Sequence, residues 1–398
     1  MARILFMNGG AEGHVNPTVS VVQELVQRGN EVVYFTTENF RERLEKVGAE
    51  VRAYDFFRFF EGFMRPDNHM LGRVGGMLEG AEALVPLVLE EAKAKPFDYI
   101  VHDSMFGGGR LMAHLLQLPA INSSTSFAQT EAHFQHFVEH LAAAASGPAD
   151  QAQADFEQLT AKLQRDYGYV VRSPYEAFFN PEPMTIVYTS RLFQPRGDDF
   201  DDSYKFVGPS VSARLQAEPE MPELAGKSVI YISLGTAFNK DIDFYRNCLK
   251  AFGGSDNTIV MSVGRETEIE SLGAIPDNFI VRPYVPQLEV LQHARLFITH
   301  GGMNSTNEGL SRGLPLVLVP QGADQPKVAE RVAELGAGVA LEKTGLTAEL
   351  LRDTVNRVLE TPSYREAAAR VGESLRSGGG ARQAADEIVK YISQVKVG

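Results

Sequence analysis

The chain has no tryptophan and a single cysteine, Cys248, among 398 residues. One cysteine excludes an intramolecular disulfide, and the compartment expected from that is the reducing cytoplasm. Cys248 lies in a helix-like run, Tyr245 to Phe252, where a buried structural thiol is expected. No run of about 18 apolar residues occurs, so no membrane span is expected. The opening M-A-R-I-L-F-M-N-G-G reads as a strand entering a glycine turn, not as a signal peptide. Basic residues are scarce too: 38 stand against 51 acidic ones, a formal charge of −13. That balance argues against nucleic acid or an anionic membrane as a bulk partner. It leaves room for a small anionic ligand, because local backbone dipoles outweigh distant carboxylates. Short repeats are absent, and the one low-complexity tract is Ala142–Ala145.

The length suits two domains, and 44% hydrophobic content suffices for two cores. The most informative stretch is Tyr284 to Gln325. Leu296 to Thr299 is a short apolar run of the kind found in buried parallel strands. It ends in His300-Gly301-Gly302. Asn304, Ser305 and Thr306 lead into a helical pattern through Glu308, Leu310 and Arg312. Strand, glycine turn and helix start bring free backbone N–H groups and the positive end of a helix dipole to one place, which suits a phosphate. His300 can donate to a phosphate oxygen, and Glu308 can accept from a ribose diol. Leu316 to Val319 is a second buried strand, with Asp324 and Gln325 just beyond it, suited to sugar hydroxyls. Together these point to a nucleotide-sugar.

The chain begins the same way. Arg3 to Met7 reads as a buried strand, Gly9 to His14 as a turn, and Asn16-Pro17 as a helix start with Asn16 as the N-cap. A second strand, Glu31 to Phe35, completes a βαβ opening and implies a parallel, doubly wound sheet. The glycine spacing does not make G-x-G-x-x-G, and the second strand ends in Thr36-Thr37 where a dinucleotide site would place an acid. His14 is either a capping residue or a base in the crevice at a strand end. Asp103, after the strand Tyr99–Val101, is either a helix cap or the partner that orients such a base. His102 is expected to point the other way. The run Ala53 to Met64 holds five phenylalanines, either a loop packed on the core or the wall of an apolar pocket. The segment from Gly72 to Glu91 looks helical, with breaks near Gly75-Gly76 and Pro86.

Val285-Pro286-Gln287, His300-Gly301-Gly302, Asn304-Ser305, Glu308, Pro315, Pro320 and Asp324-Gln325 stand in the order of a known signature. Over nearly its full length the chain resembles the nucleotide-diphosphate-sugar glycosyltransferases, and within them the bacterial, YjiC-like macrolide and flavonoid glycosyltransferases related to plant secondary-metabolite glucosyltransferases. The resemblance implies an α/β chain of the GT-B fold, two doubly wound Rossmann-like domains facing a central cleft. The expected division is 1–207 for the acceptor domain, 208–226 for a linker and 227–380 for the nucleotide-sugar domain. Residues 381–398 are expected to form a helix returning to the first domain.

The implied reaction is inverting transfer of glucose from UDP-glucose to a hydroxyl of an apolar small molecule such as a phenol, flavonoid, macrolide or steroid. The G-H-x-x-P position makes His14 the base and Asp103 its partner. Donor contacts are expected from Ser233, Gly235, Thr236, Tyr284, Val285, Gln287, His300, Gly301, Gly302, Asn304, Ser305, Glu308, Asp324 and Gln325. Acceptor contacts are expected from Phe57, Phe60, Phe63, Met64, Met105 and Ser126. No cofactor is expected beyond the UDP-sugar co-substrate, and no metal held by a D-x-D carboxylate pair. Where plant members often carry a tryptophan against the uracil, this chain has Tyr284. Other tasks compatible with the architecture are nucleotide-sugar epimerisation, transfer of a lipid-linked sugar, or nucleotide-sugar binding without turnover.

Overall fold

The computed structural model describes residues 1–55, 61, 70–106, 108–134, 149–211, 219–236 and 239–397. The chain forms two compact units. One comprises Met1–Tyr188, Phe200–Phe206 and Ala381–Gly398; the other comprises Thr189–Asp199 and Val207–Gly380.

In the first unit the strands are β1 (Arg3–Met7), β2 (Glu31–Thr36), β3 (Glu50–Ala53), β4 (Tyr99–Asp103), β5 (Ala120–Ser124), β6 (Thr185–Val187) and β7 (Tyr204–Phe206). They form one parallel sheet in the order β3-β2-β1-β4-β5-β6-β7. β1 and β4 are buried along their whole length, which is why they read as unbroken apolar runs rather than alternating ones. Helices α1 (Glu12–Gln27), α2 (Arg41–Glu45), α3 (Met70–Ala94), α4 (Gly108–Leu116), α5 (Ala149–Tyr167) and α6 (Pro174–Phe179) lie among these strands.

The second unit repeats the plan. Its strands are β8 (Val229–Ser233), β9 (Thr258–Ser262), β10 (Phe279–Arg282), β11 (Ala294–Thr299), β12 (Leu316–Leu318) and β13 (Gly338–Ala340). They are parallel in the order β10-β9-β8-β11-β12-β13. The helices are α7 (Ile242–Phe252), α8 (Gln287–His293), α9 (Met303–Ser311), α10 (Gln325–Glu334), α11 (Ala348–Glu360) and α12 (Pro362–Ser377). A last helix, α13 (Gly380–Val397), closes the chain. In each sheet the strand order reverses once, between β1 and β4 and between β8 and β11. A doubly wound sheet opens its ligand crevice at such a reversal, outside the carboxyl ends of the strands.

Three expectations need correction. The helix after β1 starts at Glu12 with Ala11 in the N-cap position, so Asn16 is not the cap and Pro17 lies inside the helix. Side chains staple the early turns instead: Arg43 pairs with Glu12 and donates to Asn16 Oδ1, and Asn8 Nδ2 donates to the His14 carbonyl (2.9 Å). Helix α3 is continuous over 25 residues despite its glycines and Pro86. Val74, Met77, Leu78, Leu84, Val85 and Val88 are buried in the core, and that packing overrides local propensity. The sheet of the first unit ends in β7, inside the 1–207 stretch expected for the acceptor domain. Finally, residues 189–199 group with the second unit, and so do the described residues of 208–226. Thr189 Oγ1 donates to Asn307 Oδ1 (3.0 Å), Ser190 and Ser374 share a hydroxyl bond (2.8 Å), and Arg331 donates to the carbonyls of Leu192 and Phe193. Helix α13 is tied to the first unit by Arg28, which pairs with Asp386 (2.8 Å).

Candidate active site

The residues singled out in the first unit converge at its sheet reversal. β4 ends on Asp103, and His14 lies in the first turn of α1, its N–H donating to the Ala11 carbonyl (3.0 Å). His14 Nδ1 stands 2.8 Å from Asp103 Oδ2. The other carboxylate oxygen, Oδ1, accepts from the Met105 N–H (2.8 Å), so both oxygens are held. The His14 side chain is 26% exposed and Asp103 only 1%. That arrangement is a buried acceptor behind an imidazole that reaches solvent. Thr125 Oγ1 lies 3.2 Å from the same Nδ1.

Around the pair runs a buried polar network that sequence reasoning missed. Tyr34 Oη bonds Thr18 Oγ1 (2.7 Å) and accepts from Asn8 Nδ2 (3.0 Å). Tyr54 Oη donates to the Asn8 carbonyl (2.8 Å), and Tyr188 Oη bonds Ser123 Oγ (3.1 Å). Burial pushes all three phenols up, and the Asp103 charge adds to it. They act as neutral hydroxyls. The available signal was the placement of Asn8 and Ser123, polar residues at or beyond the ends of apolar strands. His102 does point away from Asp103. It is fully buried, with Nδ1 3.2 Å from the Asp103 carbonyl and Nε2 3.2 Å from Glu182 Oε1.

Of the expected acceptor residues, Met105 and Ser126 are partly exposed near the dyad's strand ends. Phe57, Phe60, Phe63 and Met64 lie outside the described residues.

In the second unit, β8 ends on Ser233 and β11 on Thr299, side by side in the sheet. Ser233 Oγ accepts from the Gly235 N–H (3.2 Å), and Thr236 is exposed. His300 follows β11, and Gly301 takes φ +83°, which swings the chain into α9 with Gly302 in the N-cap position. Helix α9 starts without a side-chain cap, and its first turn carries Asn304 and Ser305 on partly exposed positions. Burial pushes the His300 imidazole down to about 4, against an opposing pull from the Asp324 carboxylate. It is neutral at pH 7 rather than a cation, and its ring also hydrogen-bonds the backbone of Ser233.

Glu308 is buried and accepts from Gln287 Nε2 (2.6 Å); the same nitrogen donates to Ser305 Oγ (3.2 Å). Tyr284 is 57% exposed. Two further residues of the expected donor set are buried. Val285 is buried, so its side chain serves the core. Gln325 is also buried, and its Oε1 accepts from the N–H groups of Gln321 (2.7 Å) and Gly322 (3.2 Å). It shapes the loop in which Ala323 takes φ +57°; Asp324 stays partly exposed at the start of α10. The chain does contain two D-x-D spacings, and both are engaged structurally. Asp199 pairs with Arg196 and Asp201 accepts from Ser203. Asp241 caps α7 through the Phe244 N–H and pairs with Lys343, while Asp243 is 91% exposed beside Arg246.

Residues 246–394 match the C-terminal domain of erythromycin biosynthesis protein CIII-like proteins, and residues 4–60 match the glycosyltransferase family 28 N-terminal domain. Over 99% of its length the chain is 36% identical to the NDP-glycosyltransferase YjiC of Bacillus subtilis (strain 168), covering 98% of that protein. The chain belongs to the YjiC-like bacterial glycosyltransferases. It is 35% identical to a second protein of the same organism, described as the uncharacterized UDP-glucosyltransferase YojK, over 99% of this chain and 98% of that one. The crystal structure of CalG4, the calicheamicin glycosyltransferase, superposes with a TM-score of 0.87 at 31% identity, covering 99% of both chains. The two parallel α/β units of this glycosyltransferase are those of the GT-B fold.

Proposed function

We propose that this glycosyltransferase moves glucose from UDP-glucose to a hydroxyl of an apolar small molecule, with inversion at the anomeric carbon. The observation that carries the reading is the 2.8 Å contact between His14 Nδ1 and Asp103 Oδ2. With Nδ1 turned to the carboxylate, Nε2 is the nitrogen that takes the acceptor's proton. Asp103 holds the tautomer and stabilises the imidazolium that forms. The acceptor oxygen attacks the anomeric carbon as the bond to the diphosphate breaks, and UDP leaves. One displacement from the face opposite UDP inverts the centre.

The charge that grows on the leaving diphosphate is met by His300, by the N–H groups at the start of α9 and by the helix dipole. Such a neutral donor set supports departure without a divalent ion. Tyr284 offers a face for the uracil ring and Glu308 an acceptor for the ribose diol. The named UDP-glucosyltransferase relative supports the donor, and the erythromycin and calicheamicin matches support natural-product acceptors.

The test is mass spectrometry after mixing protein, UDP-glucose and a panel of phenols, flavonoids, steroids and macrolides, with and without EDTA. The expected outcome is a hexose mass gain on at least one acceptor that persists in EDTA. A gain abolished by EDTA and restored by a divalent ion would overturn the metal-free part. Turnover of UDP-glucose to another nucleotide-sugar with no acceptor present would overturn the transfer reading.

A further inference from the structure

Tyr231 lies on β8, 1% exposed, with its ring stacked on Phe297 of the neighbouring strand (centroids 4.7 Å apart, 14° between planes). Its hydroxyl is 3.2 Å from Gln287 Oε1. The orientation of the Gln287 amide follows from its partners. A carboxylate only accepts, so the amide atom 2.6 Å from Glu308 Oε2 is the nitrogen. The amide oxygen therefore faces Tyr231, and the phenol is the donor. The two N–H groups of Gln287 go to Glu308 and to Ser305 Oγ. The resulting chain has one direction: Tyr231 O–H to Gln287 C=O, then Gln287 N–H to Glu308 carboxylate.

A Gln287 engaged at both ends of its amide has no N–H left for the base. We propose that Tyr231 and Gln287 are positioning residues that aim the Glu308 carboxylate at the donor's ribose diol, and so set the preference for ribonucleotides over 2′-deoxyribonucleotides. The inference rests on the reading that Glu308 receives that ribose. Tyr231 touches no substrate in this scheme. It acts by fixing which end of the Gln287 amide meets the carboxylate.

The experiment is calorimetric titration of UDP and of 2′-deoxy-UDP into the wild-type protein and the variants Tyr231→Phe, Gln287→Ala and Glu308→Ala. Phenylalanine keeps the stack on Phe297, and retained binding of 2′-deoxy-UDP reports a folded site. The expected result is a wild-type preference for UDP that falls roughly five-fold or more in both Tyr231→Phe and Gln287→Ala, through weaker UDP binding alone. Should Tyr231→Phe be poorly folded, Gln287→Ala carries the same comparison. Equal weakening of both nucleotides, with the ratio kept, would overturn the proposal and leave Tyr231 a packing residue. A ratio lost in Glu308→Ala but kept in the other two would overturn it as well, with the ribose reading intact. A ratio unchanged in Glu308→Ala, or absent from the wild type, would overturn the ribose reading itself and the inference with it.

Discussion

A β-carbon on Gly235 would stand 2.5 Å from Cε1 of His300. Gly302 also lies close to the ring: a β-carbon there would stand 2.4 Å from Nε2. Two glycines thus frame one imidazole, and the ring's place at the head of α9 depends on both having no side chain. Gly235 also takes φ +76°, a conformation that alanine adopts at a cost. Gly235→Ala is expected to displace His300 and weaken UDP binding at least about ten-fold, since a charge-assisted hydrogen bond is at stake. Calorimetric titration of UDP checks this. Unchanged affinity would show that His300 is not a diphosphate contact.

His14→Ala removes the proposed base, and a loss of roughly 10²–10⁴-fold in kcat is expected on an aliphatic alcohol acceptor. A phenol acidic enough to ionise unaided should lose less. Asp103→Asn should fall in the same direction, because an amide at that position either donates toward Nδ1 or accepts without stabilising an imidazolium. Steady-state rates with one acceptor of each kind decide it. Equal losses on both acceptors would argue against proton removal as the role of His14.

The neutral state of His300 has a signature in stability. Its pKa in the folded protein is about 4, below the ordinary 6.5. Between those values the unfolded chain binds the proton more readily than the folded one. The associated stability is therefore complete above about pH 6.5 and is lost as pH falls toward 4. A His300→Gln variant should lose less Tm than the wild type over that window, measured by scanning calorimetry. Parallel slopes for the two proteins would contradict a depressed imidazole.

Behind the dyad acid, a β-carbon on Gly109 would lie 2.0 Å from Cγ of His102. Gly109→Ala is expected to destabilise the protein by about 1–3 kcal/mol through overpacking. It should also lower kcat, because His102 Nδ1 contacts the carbonyl of Asp103. Denaturant unfolding and rate measurements at a temperature where the variant stays folded check both parts. A destabilised variant with wild-type kcat would show that His102 supports the fold but not the dyad.

The repeated pattern of buried strand, small-residue turn and helix was legible in the sequence because parallel strands buried on both faces are unbroken apolar runs. Leu5-Phe6-Met7 and Leu296-Phe297-Ile298 show this directly. The signature around His300 and Glu308 was legible because backbone approach to an anion demands glycine and small polar residues at fixed spacing. Helix boundaries were less so. Pro17 suggested a helix start, but staples from Arg43 and Asn8 moved that start five residues earlier, to Glu12. No local rule contains those partners.

The sequence by itself determined the class of the fold, the two sheets and the family to which the chain belongs. Those follow from local periodicity and from residue type, which neighbours in the chain encode. The tertiary structure alone decided how those groups are held. It placed Asp103 against His14 across 89 residues, turned Gln325 inward to its own loop, and ran a hydrogen-bond chain from Tyr231 through Gln287 to Glu308. Orientation of an amide or an imidazole depends on which partners surround it in space, and long-range packing supplies those partners.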